Sequence, residues 1–288
     1  MTTAATSATT PLLDVQDLRV RYGQGVGAVP VVQGVSFTLG REKLALVGES
    51  GSGKTTVGRA LLRLLPRQAQ TSASRLQFDG TDLLAASPAQ MAALRGRRLA
   101  MIMQDPKFSL NPVMTVGAQI AESVQRDRRL TRGECADRVH QLLARVHIRE
   151  PQRVAGQYAH QLSGGMGQRV MIAMMVVREP DLLIADEPTS ALDVTVRTQV
   201  LSILDELVTR RGMGLIFVSH DLNLVAKFCD RVIVMYAGRI VETLEAGNLH
   251  AAKHPYTQGL LACLPSIDGS LDPLPVLNRE ASWLEAAS

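Results

Sequence analysis

Residues 48–56 read Gly48-Glu49-Ser50-Gly51-Ser52-Gly53-Lys54-Thr55-Thr56 and fit the spacing GxxxxGK[ST]. A triphosphate is multiply charged and needs many donors at close range with no side chains in the way. Glycines at 48, 51 and 53 let the backbone wrap phosphates with its N–H groups. A helix opening near Gly53 adds its positive end. Lys54 can reach the β- and γ-phosphates, and Thr55 offers a hydroxyl to magnesium. A second constellation lies downstream. Leu182–Ala185 is an apolar strand ending in Asp186-Glu187. Ligands bind at the carboxyl ends of parallel strands, so one acid there can hold magnesium and the next can orient or deprotonate an attacking water. Between the two sites, Leu162-Ser163-Gly164-Gly165 opens a helical stretch, where the Ser163 hydroxyl and free N–H groups could meet a phosphate.

The elements needed to hold these residues are legible. Leu12–Val20 and Val31–Leu39 alternate apolar and polar residues, as antiparallel strands with one wet face do. Lys43–Val47 is a buried strand feeding the loop, and Gly53–Leu65 is the helix after it, stopped by Pro66. Arg75–Asp79 and Leu99–Gln104 are further strands. From about residue 106 to residue 178 the strand pattern disappears, and helices are expected at Thr115–Gln125, Thr131–Val146 and Ser163–Arg178. Strands return at Asp181–Ala185, Leu215–Ser219 and Arg231–Tyr236, with helices Val194–Arg210 and Asp221–Phe228 between them and a last strand at Arg239–Thr243. Strand–helix alternation implies a mainly parallel sheet wrapped by helices. The expectation is a P-loop α/β core with an N-terminal antiparallel β subdomain and a helical insertion.

Together, the motifs identify the chain as resembling the ABC-type ATPases, the nucleotide-binding subunits of membrane transporters. The resemblance covers about residues 12–265, flanked by a loose tail at 1–11 and an irregular tail at 266–288. It implies ATP and magnesium as ligands and a head-to-tail pair of ATPase subunits. The Ser163-Gly164-Gly165 signature of one subunit then closes over the ATP of the other. It implies that Gln104 touches magnesium and senses the membrane partner. His220, in Ser219-His220-Asp221, matches the switch histidine at the γ-phosphate. Ser190-Ala191-Leu192-Asp193 matches the loop that crosses the dimer interface, and Tyr22 sits where the family stacks an aromatic on adenine. Lys54, Glu187 and His220 are the catalytic candidates, and Thr55, Gln104 and Asp186 the metal candidates. The signature's fifth residue is commonly Gln and here is Met166, with Gln168 two residues on. The backbone donors are unaffected by that change.

Finer strings resemble one branch. Met101-Ile102-Met103-Gln104-Asp105-Pro106, Ser109-Leu110-Asn111-Pro112 and His254-Pro255-Tyr256-Thr257 are similar to ATPases of bacterial oligopeptide, dipeptide and nickel importers. The wording of residues 109–112 and 184–193 is nearer the first, D-type, ATPase of the pair. That resemblance implies a second, different ATPase subunit, two permease subunits and an extracytoplasmic solute-binding protein, at the cytoplasmic face of a bacterial inner membrane. Only Cys263 lies near the C-terminus, so the iron–sulfur segment of many peptide importers is missing, which leaves metal chelates as an alternative cargo. Rivals from other classes are a soluble ABC ATPase acting on nucleic acid, a P-loop kinase and a switch GTPase. The single cassette, the LSGG string and the lack of NKxD count against them.

Composition sets the outer bounds. The 288 residues are 46% apolar, ample for a full core. Net charge is only +4, and aromatics are 3%, which argues weakly against a base-stacking platform. Arg95-Gly96-Arg97-Arg98 and Arg126-Asp127-Arg128-Arg129 could meet nucleic acid or acidic lipid, but read better as solvated helix faces. Three scattered cysteines make neither a zinc site nor a disulfide framework. The start, rich in Thr and Ala, is not expected to be a signal peptide. The longest apolar run, Val170–Val177, is far short of the roughly 20 residues a membrane helix needs.

Overall fold

A computed structural model describes residues 10–105, 109–125, 130–190, 192–263 and Trp283, apart from the side chain of Val26. The second arginine run, residues 106–108 and, but for Trp283, the expected tail at 266–288 lie outside the described residues.

Two sheets carry the fold. The first is antiparallel. β1 (Leu13–Tyr22) pairs with β2 (Val29–Leu39) on one side. On the other it pairs with β4 (Ala69–Ser72) and β5 (Arg75–Phe78), and β5 pairs with β6 (Thr81–Asp82). Asp79 and Gly80 both have positive φ, 44° and 77°, the geometry of a tight hairpin turn. The second sheet has the order β11-β10-β3-β9-β8-β7. Its strands are β3 (Lys43–Val47), β7 (Leu99–Ile102), β8 (Leu182–Asp186), β9 (Gly214–Val218), β10 (Arg231–Tyr236) and β11 (Arg239–Glu245). All neighbours are parallel except β10 with β11.

Side-chain alternation along these strands builds two cores. Leu44, Leu46, Ile184, Ile216, Val218, Ile233 and Met235 point to the antiparallel sheet, with α1 (Lys54–Leu61) packed between the sheets through Val57, Ala60 and Leu61. Ala45, Val47, Leu183, Ala185, Leu215, Phe217, Val232 and Val234 point the other way. There they meet α6 (Gly164–Val176) and α7 (Val194–Arg211), whose Val200, Ile203, Leu204, Leu207 and Val208 form one helical stripe. The same core continues into α3 (Val116–Gln125), α4 (Arg132–Arg145) and α5 (Pro151–Ala155) through Val116, Ile120, Val139, Leu143 and Val154.

Several expectations need correction. Helix α1 ends at Leu61, before Pro66, because Arg63 turns the backbone to φ 51°. Strand β7 ends at Ile102 rather than Gln104. A short helix, α2 (Pro88–Leu94), was not expected; it buries Met91 and is opened by a Ser87/Gln90 capping box. Strands β4 and β6 and the short α5 were also unexpected. Residues 222–228 form α8 (Leu222–Phe228), and the chain adds α9 (Pro255–Ala262). The first arginine run is not a solvated helix face. Arg95 donates to the Leu62 and Arg63 carbonyls, at 2.7 and 3.0 Å, and so caps the end of α1. Arg98 bridges Asp79 and Asp181, both at 2.6 Å, and so joins the two sheets.

Candidate active site

The phosphate loop runs from β3 to α1 across the carboxyl end of the parallel sheet. Gly48 has φ 144°, and a Cβ there would lie 2.2 Å from the Met235 carbonyl oxygen, so only glycine fits. Lys54 is 5% exposed and curls back into the loop. Its Nζ donates to Gly48 O and Glu49 O, both at 2.8 Å, and to Ser52 Oγ at 3.3 Å. Burial lowers its pKa, opposed by Glu187, Asp186 and Glu49.

Strand β8 delivers both acids beside the loop. Thr55 Oγ1 donates to Asp186 Oδ1 at 2.9 Å. Burial raises the Asp186 pKa, offset by the Thr55 hydrogen bond and the Arg59 charge. A buried carboxylate next to a hydroxyl is an all-oxygen donor set, the kind magnesium selects. It fits that ion, and the charge would repay the carboxylate's desolvation.

Glu187 follows at φ 45°, a region where non-glycine residues are rare. Its N–H donates to Val218 O at 3.0 Å, which fixes the turn to β9. Gln104 Nε2 donates to one carboxylate oxygen at 3.1 Å, and His220 Nδ1 lies 3.4 Å from the other. The ends of β7, β8 and β9 thus bring Gln104, Glu187 and His220 together. The side chain of His220 is 64% exposed, open to whatever approaches this edge.

The remaining candidates stand elsewhere. Ser163 caps α6, its Oγ accepting the Met166 N–H at 3.3 Å. Asp193 caps α7 likewise, accepting from Val196 N at 3.0 Å. The two helix starts touch, because a Cβ on Gly165 would sit 2.5 Å from Val196 Cγ1. Ser163, Gly164, Gln104 and Glu187 line one cavity of about 600 Å3, into which the α6 start and the β7 end both open. Tyr22 is half-buried at the end of β1, packed against the core between the sheets. One contact escaped the sequence reading: Tyr256 Oη accepts the Glu49 N–H at 2.9 Å. The HPYT string was visible, but nothing local shows that it reaches a loop some 200 residues away.

The ABC transporter family pattern matches residues 32–190, from within β2 through both acids. The chain belongs to that family. It is an ATPase of the transport-coupled kind, and its cassette binds ATP. A probable peptide ABC transporter ATP-binding protein of Sinorhizobium fredii is 47% identical over 257 residues, covering 88% of this chain and 77% of the relative. The oligopeptide transport ATP-binding protein OppD of Bacillus subtilis is 43% identical, covering 91% and 74%. Among solved structures, cbiO1 of Clostridium perfringens, part of an ABC transporter complex, superposes with TM-score 0.71 at 26% identity, covering 84% of this chain and 92% of that one. A dimeric bacterial ABC transporter cassette superposes with TM-score 0.73 at 24% identity, covering 81% and 98%, and shows the same fold.

Proposed function

We propose that this chain is the ATP-hydrolysing subunit of a bacterial ABC importer of peptides, held at the cytoplasmic face of the inner membrane by permease partners. The observation that carries the reading is the convergence of Lys54, Thr55, Asp186, Gln104, Glu187 and His220 at one sheet edge. Relatives named for peptide import support peptides over the metal-chelate and nucleic-acid alternatives. Among the described residues no helix is long and apolar enough to cross a membrane.

The backbone of Gly48 to Thr56 wraps the phosphates, cradling them with its N–H groups other than that of Glu49, and Lys54, its ammonium seated on the Gly48 and Glu49 carbonyls, reaches the β- and γ-oxygens. Tyr22 stacks on the adenine. Thr55, Asp186 and Gln104 would hold magnesium, which when bound neutralises charge between the β- and γ-phosphates. Glu187 orients the attacking water and accepts its proton, held between Gln104 and His220. His220 then contacts the γ-phosphate. Ser163, Gly164, Gly165 and Asp193 act on the nucleotide in the loop of a second, different ATPase subunit. The helical block at about residues 106–178 and the edge near Gln104–Pro112, followed by Val113 at 80% exposed, receive the two permease subunits. An extracytoplasmic solute-binding protein delivers the cargo. Loss of the γ-phosphate contacts reopens the pair.

The test is affinity capture. Glu187→Gln protein is incubated with ATP and magnesium in solubilised native membranes, and its partners are read by mass spectrometry. Two permeases and a second ATPase are expected. Recovery of soluble or nucleic-acid-bound partners alone would overturn the importer reading.

A further inference from the structure

The string His254-Pro255-Tyr256-Thr257 has no part in the chemistry above, yet it reaches the phosphate loop. His254 caps α9, its Nδ1 accepting the Tyr256 N–H at 3.2 Å, with Pro255 at the first helical position. Tyr256 is fully buried. Its ring packs on Tyr236, at the end of β10, with centroids 4.5 Å apart, and on Trp283 at 5.5 Å. From this aromatic nest its hydroxyl accepts the Glu49 N–H at 2.9 Å. That N–H belongs to the peptide unit joining Gly48 to Glu49. The carbonyl of the same unit accepts from Lys54 Nζ at 2.8 Å. Tyr256 and Lys54 therefore grip one peptide plane from opposite edges. The plane is rigid, so tilting it at the N–H edge displaces the carbonyl that seats the ammonium.

We infer that Tyr256 is a positioning residue for nucleotide binding, its hydroxyl fixing the Gly48–Glu49 peptide and through it the Lys54 ammonium. The inference rests on the loop being the triphosphate site and extends that site to the C-terminal helix. The helix is itself anchored. Glu242 accepts from the Lys253 and His254 N–H groups at 2.7 and 3.2 Å. With Nδ1 accepting, the neutral His254 ring carries its proton on Nε2, which lies 3.1 Å from the Trp283 carbonyl oxygen. Residue 283 is thus linked to the phosphate loop through His254 and Tyr256.

Trp283 is the sole tryptophan of the sequence, so tryptophan fluorescence reads this cluster alone. Tyr256→Phe keeps the ring and removes the acceptor. The full chain is titrated calorimetrically with ATP and magnesium. Its dissociation constant is expected to rise about 5-fold, the usual effect of one lost hydrogen bond, with Tm lowered by only about 2–4 °C. The Trp283 emission change at saturating ATP is expected to fall to less than half that of the wild-type protein. Tyr256→Leu, which also loses the ring, lowers Tm further. Equal affinity or an equal emission response in Tyr256→Phe and wild type would overturn the inference, as would a loss of Tm without a loss of affinity. Lys54→Ala separates the two readings, because ATP binding that survives it sinks the loop assignment whatever Tyr256 does.

Discussion

Glu187 combines an unfavourable backbone with a central chemical position. Positive φ in a residue with a Cβ costs on the order of 1–3 kcal/mol and persists only where the surroundings enforce it. Here Val218 holds the Glu187 N–H, and Ser190 donates twice to the Glu187 carbonyl, at 3.3 Å from N and 3.2 Å from Oγ. The turn sets the carboxylate between Gln104 and His220, where a water aimed at a γ-phosphate would lie. Glu187→Gln preserves shape and removes the proposed base. In the assembled transporter, ATP turnover is expected to fall at least about 100-fold, with ATP affinity retained; near-normal turnover would remove Glu187 from its role. Asp186 shows the complementary trade. Its burial disfavours the charged form. Asp186→Asn keeps an acceptor for Thr55 and discards the buried charge. Without magnesium, its Tm is expected to rise above that of the wild type. Calorimetry with magnesium and ATP should show the variant losing the stabilisation that the wild type gains. A variant less stable than wild type without magnesium would mean that the carboxylate is not a net cost there.

Elements that bury a continuous face were readable, and elements that do not were missed. Strands β3 and β10 lie in the centre of the sheet, apolar on both faces, and have the bounds their sequences imply. Strand β4, Ala-Gln-Thr-Ser, pairs only with the end of β1 and has no apolar stripe to announce it. Helix α2 buries a single side chain, so its signal was the capping box at Ser87-Pro88-Ala89-Gln90 rather than any periodicity. Among the site residues, the loop and the two acids declared themselves because local chemistry forces their spacing. The grouping of Gln104 with His220 depends on sheet order, which a sequence does not state. The contact between α6 and α7 is of the same kind. Gly165 meets Val196 so closely that any Cβ must displace that side chain or the helix start. Gly165→Ala is expected to cost about 1–3 kcal/mol through overpacking, read as a lower Tm. Gly165→Ala with Val196→Ala should recover most of the loss, since the clash is with that side chain. A double variant no more stable than Gly165→Ala would locate the strain elsewhere.

At the scale of the whole molecule, the phosphate loop and the signature belong to different layers. Helix α1, which the loop opens, packs between the two sheets, while α6, which Ser163 opens, packs on the opposite face of the parallel sheet. Of the described contacts, none joins Ser163 to the loop; its hydroxyl is spent on capping its own helix. A single chain therefore has half of each device, and the head-to-tail pairing proposed above would complete both. This separation makes a prediction that a self-contained site would not. Lys54→Ala should abolish ATP binding by the isolated chain. Ser163→Arg should leave that binding within about 2-fold, because phosphate affinity in one chain comes from the loop's N–H groups and Lys54, yet it should cut ATP hydrolysis by the assembled transporter. Calorimetry on the isolated chain and phosphate release from the assembly read the two effects separately. If Ser163→Arg also removed binding by the isolated chain, the signature would be acting on its own loop. The two layers would then have to close within one subunit rather than between two.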